Sequence, residues 1–284
     1  MANRRLLLLL LCGFMLFPFK NPGNEITFID VGQGDGIYLN TGEDVMIDGG
    51  SSSSRHIGEN TIEPFLMSKG IDSLEKVFIT HSDSDHTSGI LYLAESGKIS
   101  IKELYLPYCA RDHESYDEIR KICRKVYYLK AGDRIELSHG VITCLSPAKG
   151  MISEVSDVNE HSLVLLYKYG DFSALFTGDA GKESERTMLD SGSGRTLSEA
   201  APVTVLKVGH HGSSTSSSDE LLKAADPTLA VLSYGLNNRY GHPHQETLDS
   251  LKNHGIHHLD TASSGAITCL TNGKSAEIKE FLVQ

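Results

Sequence analysis

The segment His81-Ser82-Asp83-Ser84-Asp85-His86 constrains this chain more than any other part of it. It follows the apolar run Val77-Phe78-Ile79 and places two imidazoles and two carboxylates within six residues. Four such groups cannot all turn into an apolar interior, because each would lose water there without gaining a partner. A metal ion supplies that partner, so the segment reads as a strand end that carries metal ligands.

Further candidate ligands recur at strand ends. Asp48 follows Val45-Met46-Ile47, His161 precedes Ser162-Leu163-Val164, Asp179 follows Leu175-Phe176-Thr177-Gly178, and His210-His211 follow Val205-Leu206-Lys207-Val208-Gly209. A layered fold gathers distant strand ends at one edge. Residues 26–31, 36–40 and 44–48 read as strands, 60–69 as a helix closed by Gly70, 76–80 as a strand, and a helix follows Ser88. The middle reads as strand 103–106, helix 112–125 and strands 126–129, 134–137 and 141–145. A hairpin then crosses Gly170-Asp171. Residues 191–194 read as a flexible surface loop. Strand 203–208, helix 218–225, strand 228–233, helix 243–253 and strands 266–270 and 276–281 complete the pattern. Two sets of strands interleaved with helices predict two sheets packed face to face with helices outside.

At 284 residues the chain can bury a sizeable core, and its hydrophobic and charged fractions, 39% and 22%, are those of a folded globular protein. The net charge of −11 argues against a broad nucleic-acid footprint, which draws its affinity from Lys and Arg. Carboxylates committed to divalent cations account for part of that excess. Residues 1–23 stand apart. Arg4-Arg5 precede an apolar run from Leu6 to Phe19, shorter than the roughly 20 residues of a membrane-spanning helix, and the whole matches an export signal or short anchor. An extracytoplasmic location, secreted or anchored, is therefore expected. The remaining cysteines, Cys109, Cys123, Cys144 and Cys269, lack CxxC spacing and read as free thiols rather than a disulfide framework.

Taken together, these motifs resemble the metallo-β-lactamase fold superfamily, whose pattern is a strand-end Asp, an HxHxDH loop, a third His, a bridging Asp and a final His. Within it, Asp30-Val-Gly-Gln-Gly-Asp35, His81-x-Asp-x-Asp-His86, Thr177-Gly-Asp179, Lys207-Val-Gly-His-His-Gly-Ser213 and Gly241-His-Pro-His244 resemble the hydrolase domain of ComEC-like DNA-uptake proteins. The resemblance runs from about Asn24 to the end and implies one hydrolase domain, 24–284, folded as a four-layer αββα sandwich. No channel segment accompanies it here, so the transport role of the larger proteins is not carried over.

By that resemblance His81 binds a first metal, Asp85 and His86 a second, and Asp179 bridges them, with Asp85 also a candidate catalytic carboxylate. Asp83 stands where most of the superfamily has His; the added carboxylate favours harder metals, so Mn²⁺ rivals Zn²⁺ as the identity of the two ions. Asn159 and His161 both fall near the third-histidine position: His161 as a ligand or a substrate contact, Asn159 as the holder of a water. His210 is preferred to His211 as the final ligand, because His-x-Gly-Ser resembles the motif with its ligand first. His211, His242 and His244 then contact substrate or move protons, or, beside Pro243, simply cap a helix. Asp35 or Asp48 would orient a ligating His, and Asp30 would do the same or close an Asx-turn. Ser213, Ser214 and Arg239, with the Ser-rich 51–54, are candidate substrate contacts.

Such a site implies a metal-dependent hydrolase, foremost a phosphodiesterase or nuclease acting through a hydroxide held between two ions. Hydrolysis of a small ester, lactone, thioester or β-lactam competes with it, and the acidic surface suits that reading better. A non-catalytic, membrane-tethered binding module of the same fold would have lost ligands, whereas nearly every position is filled here. A flavin-linked diiron oxidoreductase of the same fold would need a flavin-binding segment after the core, and none is read in this sequence. The expected partners are a phosphodiester or nucleic acid, otherwise a small molecule. Membrane contact is expected through the N-terminal segment alone, and no protein partner is implied.

Overall fold

A computed structural model describes residues 24–148 and 158–282, so the expected leader lies outside the described residues. The first half supplies β1 (Asn24–Phe28), β2 (Gly36–Asn40), β3 (Asp44–Gly49), β4 (Ser73–Leu74), β5 (Lys76–Phe78), β6 (Ser100–Ile101), β7 (Leu104–Pro107) and β8 (Val126–Leu129). Next come β9 (Arg134–Glu136), β10 (Val141–Ser146), β11 (Val164–Tyr169), β12 (Phe172–Phe176), β13 (Val205–Lys207), β14 (Leu229–Leu232) and β15 (His257–Asp260), then β16 (Ile267–Thr271) and β17 (Ala276–Glu280). The helices are α1 (Glu63–Ser68), α2 (Ser84–Ser96), α3 (Asp117–Lys121), α4 (Lys182–Leu189), α5 (Gly192–Ser198), α6 (Asp219–Ala225), α7 (Gln245–Asn253) and α8 (Thr261–Ser264).

One sheet has eight strands in the order β17-β16-β1-β2-β3-β5-β7-β8; the other has seven, β15-β14-β13-β12-β11-β10-β9. The short strands β4 and β6 pair with each other outside both. Strand alternation builds the layers. In β1, β2 and β3, Ile26, Phe28, Ile37, Leu39, Val45 and Ile47 face the second sheet, while Tyr38 and Met46 face the helices. In β11 to β14 the same alternation sends Leu165, Phe176, Val205 and Val231 inward and Leu166, Leu175, Leu206 and Ala230 outward. Three apolar layers result: one between the sheets, one under α1 to α3, one under α4 to α7. This is the αββα sandwich the sequence predicts.

Each sheet contains a parallel run, β3-β5-β7-β8 and β12-β13-β14-β15. Parallel strands end on the same side, and a crevice beyond their carboxyl ends is where such folds hold ligands.

Several boundaries differ from the sequence reading. α2 starts at Ser84, not after Ser88, because the Asp83 carbonyl accepts from His86 N (3.0 Å) and Thr87 N (3.1 Å) and opens the helix earlier. Asp85 and His86 therefore lie in a helical first turn. At its other end Gly97, at φ 67°, gives the left-handed residue that stops the helix by donating to Leu93 O. The 60–69 helix opens with a wide turn, Gly58–Ile62, and 112–125 shrinks to a 3₁₀ turn plus α3. Residues 191–194 are not a loop: the Ser191 hydroxyl accepts from Ser193 N and caps α5. Cys109, Cys123, Cys144 and Cys269 are free thiols.

Candidate metal centre

The expected ligands converge where the parallel strands end. Asp48 closes β3, His81 follows β5, Asp85 and His86 open α2, Asp179 follows β12, and His211 follows β13. His86 Nε2 lies 3.3 Å from Asp179 Oδ1, and His81 Nε2 lies 3.9 Å from Asp179 Oδ2. His211 Nε2 is 3.6 Å from Asp179 Oδ2 and 3.7 Å from Asp85 Oδ2. Asp179 thus stands between two groups of donors, one containing His81 and the other Asp85 and His211.

Loop packing sets these positions. Asp35 N donates to Asp85 O (3.0 Å) and Gly50 N to Asp35 O (2.9 Å), which seats the start of α2 on two loops. A Cβ on Gly50 would fall 2.5 Å from Ser84 O and 2.6 Å from His86 N, so only glycine allows this approach. His210 and His211 both adopt left-handed backbone, φ 48° and 55°, as does Asp48 at 55°. Strained backbone of this kind gathers where a site dictates side-chain direction.

That turn brings both histidines of the pair to Asp179. His211 is buried, its Nδ1 donating to Ser233 O (2.9 Å) with Asp35 Oδ1 at 3.4 Å, so Nε2 faces the cluster. His210 has its side chain 27% exposed, with Nε2 3.6 Å from Asp179 Oδ2, at the mouth. The His-x-Gly-Ser spacing pointed to His210; the two left-handed residues bring His211 as close to Asp179 as His210, each Nε2 3.6 Å from Oδ2, with His211 the buried one of the two.

Partners behind the cluster fix ring orientation. Asp48 Oδ2 lies 2.9 Å from His86 Nδ1, and Asp48 itself accepts from Thr80 N (2.8 Å) and Thr80 Oγ1 (2.7 Å). Asp35 is ion-paired with the buried Lys207, Nζ to Oδ2 2.6 Å. Burial disfavours the Asp35 charge, but Lys207, then His211 and His86, hold its carboxyl well below the ordinary range. Lys207, which opens the motif running to Ser213, is thus an internal counter-charge. A lysine inside the apolar strand Val205-Leu206-Lys207-Val208 was the legible sign that a buried carboxylate waits opposite.

The cluster is electrostatically a cation site. His81 Nε2, His86 Nε2, His211 Nε2 and Asp179 Oδ1 are buried without a hydrogen-bond partner. Burial, then the neighbouring His86, push His81 down to about 3. On His211, burial is outweighed by Asp179 and Asp35, which raise it to about 9. Buried carboxylates holding protons on imidazoles, with ring nitrogens otherwise orphaned, mark the place where divalent ions fit. Among the described residues four groups of donor atoms lie close enough to share an ion; two of them, His81-His86-Asp179 and Asp85-His86-His211, do not draw on Asp35, which is paired with Lys207.

Other expected residues fall around this centre. The half-exposed Asp83 has Oδ2 3.8 Å from His81 Nε2. His161 is buried at the end of the turn Val158–His161, outside those donor groups, and Ser162 Oγ in the same segment accepts from Asp179 N (3.3 Å). Asn159 lies in the same turn. Asp30 is exposed and closes an Asx-turn, accepting from Gly32 N (3.1 Å). Ser213 pairs with Thr215 and Ser214 N donates to His244 Nδ1, so these serines hold the wall together. Ser51 likewise accepts from Ser53 N and Ser54 N within its own loop. His244 is occupied on both nitrogens, its Nε2 3.2 Å from Tyr240 O. His242 faces the mouth, 5.6 Å from the His210 ring and 6.3 Å from that of His211, while Arg239 is exposed beside it. Gln33, not singled out in the sequence, reaches His242 Nδ1 (3.4 Å) and accepts from Gly235 N (3.1 Å).

A strand-end histidine and carboxylate cluster in an αββα sandwich defines a class, and the comparisons with known proteins agree. The chain belongs to the metallo-beta-lactamase superfamily, whose model matches residues 29–121 and 155–236. It is 32% identical over 275 residues to ComE operon protein 3 of Bacillus subtilis (strain 168), covering 89% of this chain and 34% of that protein. It is 33% identical over 263 residues to Competence protein ComA of Neisseria gonorrhoeae, covering 91% and 34%. The chain spans about a third of the length of these relatives. Among solved structures it resembles the metallo-beta-lactamase fold protein YhfI of Bacillus subtilis, with TM-score 0.56 and 11% identity over 86% of this chain and 98% of that one. CmlA, a diiron beta-hydroxylase from Streptomyces venezuelae, gives TM-score 0.57 and 13% identity over 88% of this chain and 54% of that one. At such identities the likeness shows the fold. The coarse class is a metal-binding hydrolase of this superfamily, with competence proteins as relatives.

Proposed function

We propose that the chain is a metal-dependent phosphodiesterase that cleaves nucleic acid outside the cytoplasm. The observation that carries the hydrolytic part is the convergence of orphaned ring nitrogens on Asp179 at the strand ends. The similarity to competence proteins along about nine-tenths of this chain supports a nucleic-acid substrate. His81, Asp83 and Asp179 would hold one ion, and Asp85, His86, Asp179 and His211 the other. Carboxylate-rich ligation suits Mn²⁺ as well as Zn²⁺. Bound there, divalent ions supply Lewis acidity toward a phosphoryl oxygen and make water a nucleophile near neutral pH.

The chain's own groups do the rest. Asp48 fixes the tautomer of His86 by accepting from Nδ1, and Ser233 O does so for His211, so each ring presents Nε2. Asp35 neutralises Lys207 and sets its carboxylate behind both rings, 3.9 Å from His86 Nδ1 and 3.4 Å from His211 Nδ1. At the mouth, burial first and the neighbouring His211 and His210 next hold His242 down to about 4, an uncharged imidazole able to hydrogen-bond substrate. The exposed Arg239 guanidinium is placed to meet a phosphate.

The net charge of −11 favours small-ester hydrolysis as a second reading. Assays of single-stranded DNA, RNA and bis-p-nitrophenyl phosphate beside ester, lactone and β-lactam panels, under Mn²⁺ and Zn²⁺, separate the two. Phosphodiester cleavage with no ester turnover is expected; turnover confined to esters would overturn the proposal.

A further inference from the structure

The loop after β14 carries an exposed aromatic group over the mouth of the metal centre. Asn238 ties this loop into one shape: its Oδ1 accepts from Tyr240 N (3.1 Å) and His242 N (3.0 Å), and its Nδ2 donates to Gly235 O (2.9 Å) and His242 O (2.6 Å). His244 Nε2 and Gln33 add two further ties, to Tyr240 O and to Gly235 N. A loop held this way presents its side chains in fixed positions. Tyr240 is 42% exposed although large and aromatic, and its ring lies nearly parallel to His242, 21° and 5.6 Å between centroids. His242 is itself in contact with His210 and His211. The Arg239 guanidinium lies 4.8 Å from the Tyr240 ring centroid. Tyr240 stacks on His242, whose ring in turn meets His210 edge-on (75°) and His211 at a tilt (34°), so a run of ring contacts leads from solvent to the metal cluster.

We infer that Tyr240, backed by His242, is a nucleobase-stacking subsite for the nucleotide beside the scissile phosphodiester. This deepens the phosphodiesterase reading and rests on it. Every base offers a π-face, so such a platform binds without regard to sequence. It also answers the charge problem. An acidic chain cannot draw affinity from many phosphate contacts, and stacking supplies it without them. The base takes the place of the guanidinium on the Tyr240 face, and the exposed Arg239 side chain gives up its hydrogen bond to the Tyr240 hydroxyl (2.6 Å) and turns to the backbone phosphate, where its planar fork pairs with two oxygens.

The test compares two single-stranded DNA oligonucleotides of one sequence, one intact and one abasic on both sides of a fixed linkage, cleaved by the purified full chain with Mn²⁺. The wild type is expected to show a KM about 10-fold lower for the intact strand, on the scale of one stacked base. Tyr240→Ala brings the two KM values together, and Tyr240→Phe keeps them apart because the ring remains. A wild type that treats both strands alike, or a Tyr240→Ala variant that retains the preference, overturns the subsite while leaving the phosphodiesterase reading intact. Cleavage of neither strand overturns both.

Discussion

Lys207 lies inside a strand with no access to water, and Asp35 is what makes that tolerable. Removing one partner of a buried pair leaves the other charged and unpaired, which costs about 3–5 kcal/mol. Lys207→Met is therefore expected to lower stability by that order in urea unfolding, and Asp35→Asn with Lys207→Met to recover part of it. Equal stability of Lys207→Met and wild type would show that the pair does not hold the second sheet to the motif loop. His242 gives a pH prediction. Its native pKa is held at about 4, against 6.5 for a free imidazole. Between those values the unfolded chain binds more protons than the native one, so the stability this side chain contributes grows as pH rises through that window and is lost below it. An NMR titration, with the signal assigned by its loss in His242→Asn, should show no ring protonation step between pH 6 and 8. A midpoint near 6.5 would contradict the packing of His242 against its neighbouring imidazoles.

At the scale of elements, the start of α2 is the decisive placement. Two of the donors sit in its first turn, and the turn reaches its place because Gly34 and Gly50 let the loops approach its backbone. Gly50→Ala would put a methyl against Ser84 O and His86 N. The expected result is a displaced Asp85-His86 pair and a 10–100-fold loss of metal affinity or activity, read by metal titration, with the chain still folded. Unchanged affinity would mean that α2 is held elsewhere. The sequence showed the donors and the strands before them, because apolar runs ending in ligand types are a local pattern. It could not show that His211 is the buried one of the pair, since this follows from two consecutive left-handed residues. Nor were α4 and β15 visible. α4 buries Ser184 and Glu185 with Met188, and the edge strand β15 reads His-His-Leu-Asp, so neither carries an apolar period.

At the scale of the molecule, the centre exists because two sheets end together. Phe28 of one sheet and Phe176 of the other meet with ring centroids 6.3 Å apart, in the apolar layer beneath the strand ends. Phe176→Ala should cost about 3–5 kcal/mol in unfolding free energy. A loss well under 1 kcal/mol would indicate that the sheets are not joined through this layer. The resemblance read from the motifs extends to the whole sandwich, whereas the loop after β14 and its aromatic stack became apparent only once the chain was folded. The account stands or falls on a pair of cations gathered by distant strand ends. Metal analysis of chelator-free protein, with phosphodiester cleavage by wild type and Asp179→Ala measured side by side, tests it most directly. The account predicts two divalent ions per wild-type chain, and loss of bound metal with at least a hundredfold drop in cleavage for the variant. Full-rate cleavage by Asp179→Ala, or by metal-free wild type, would contradict it.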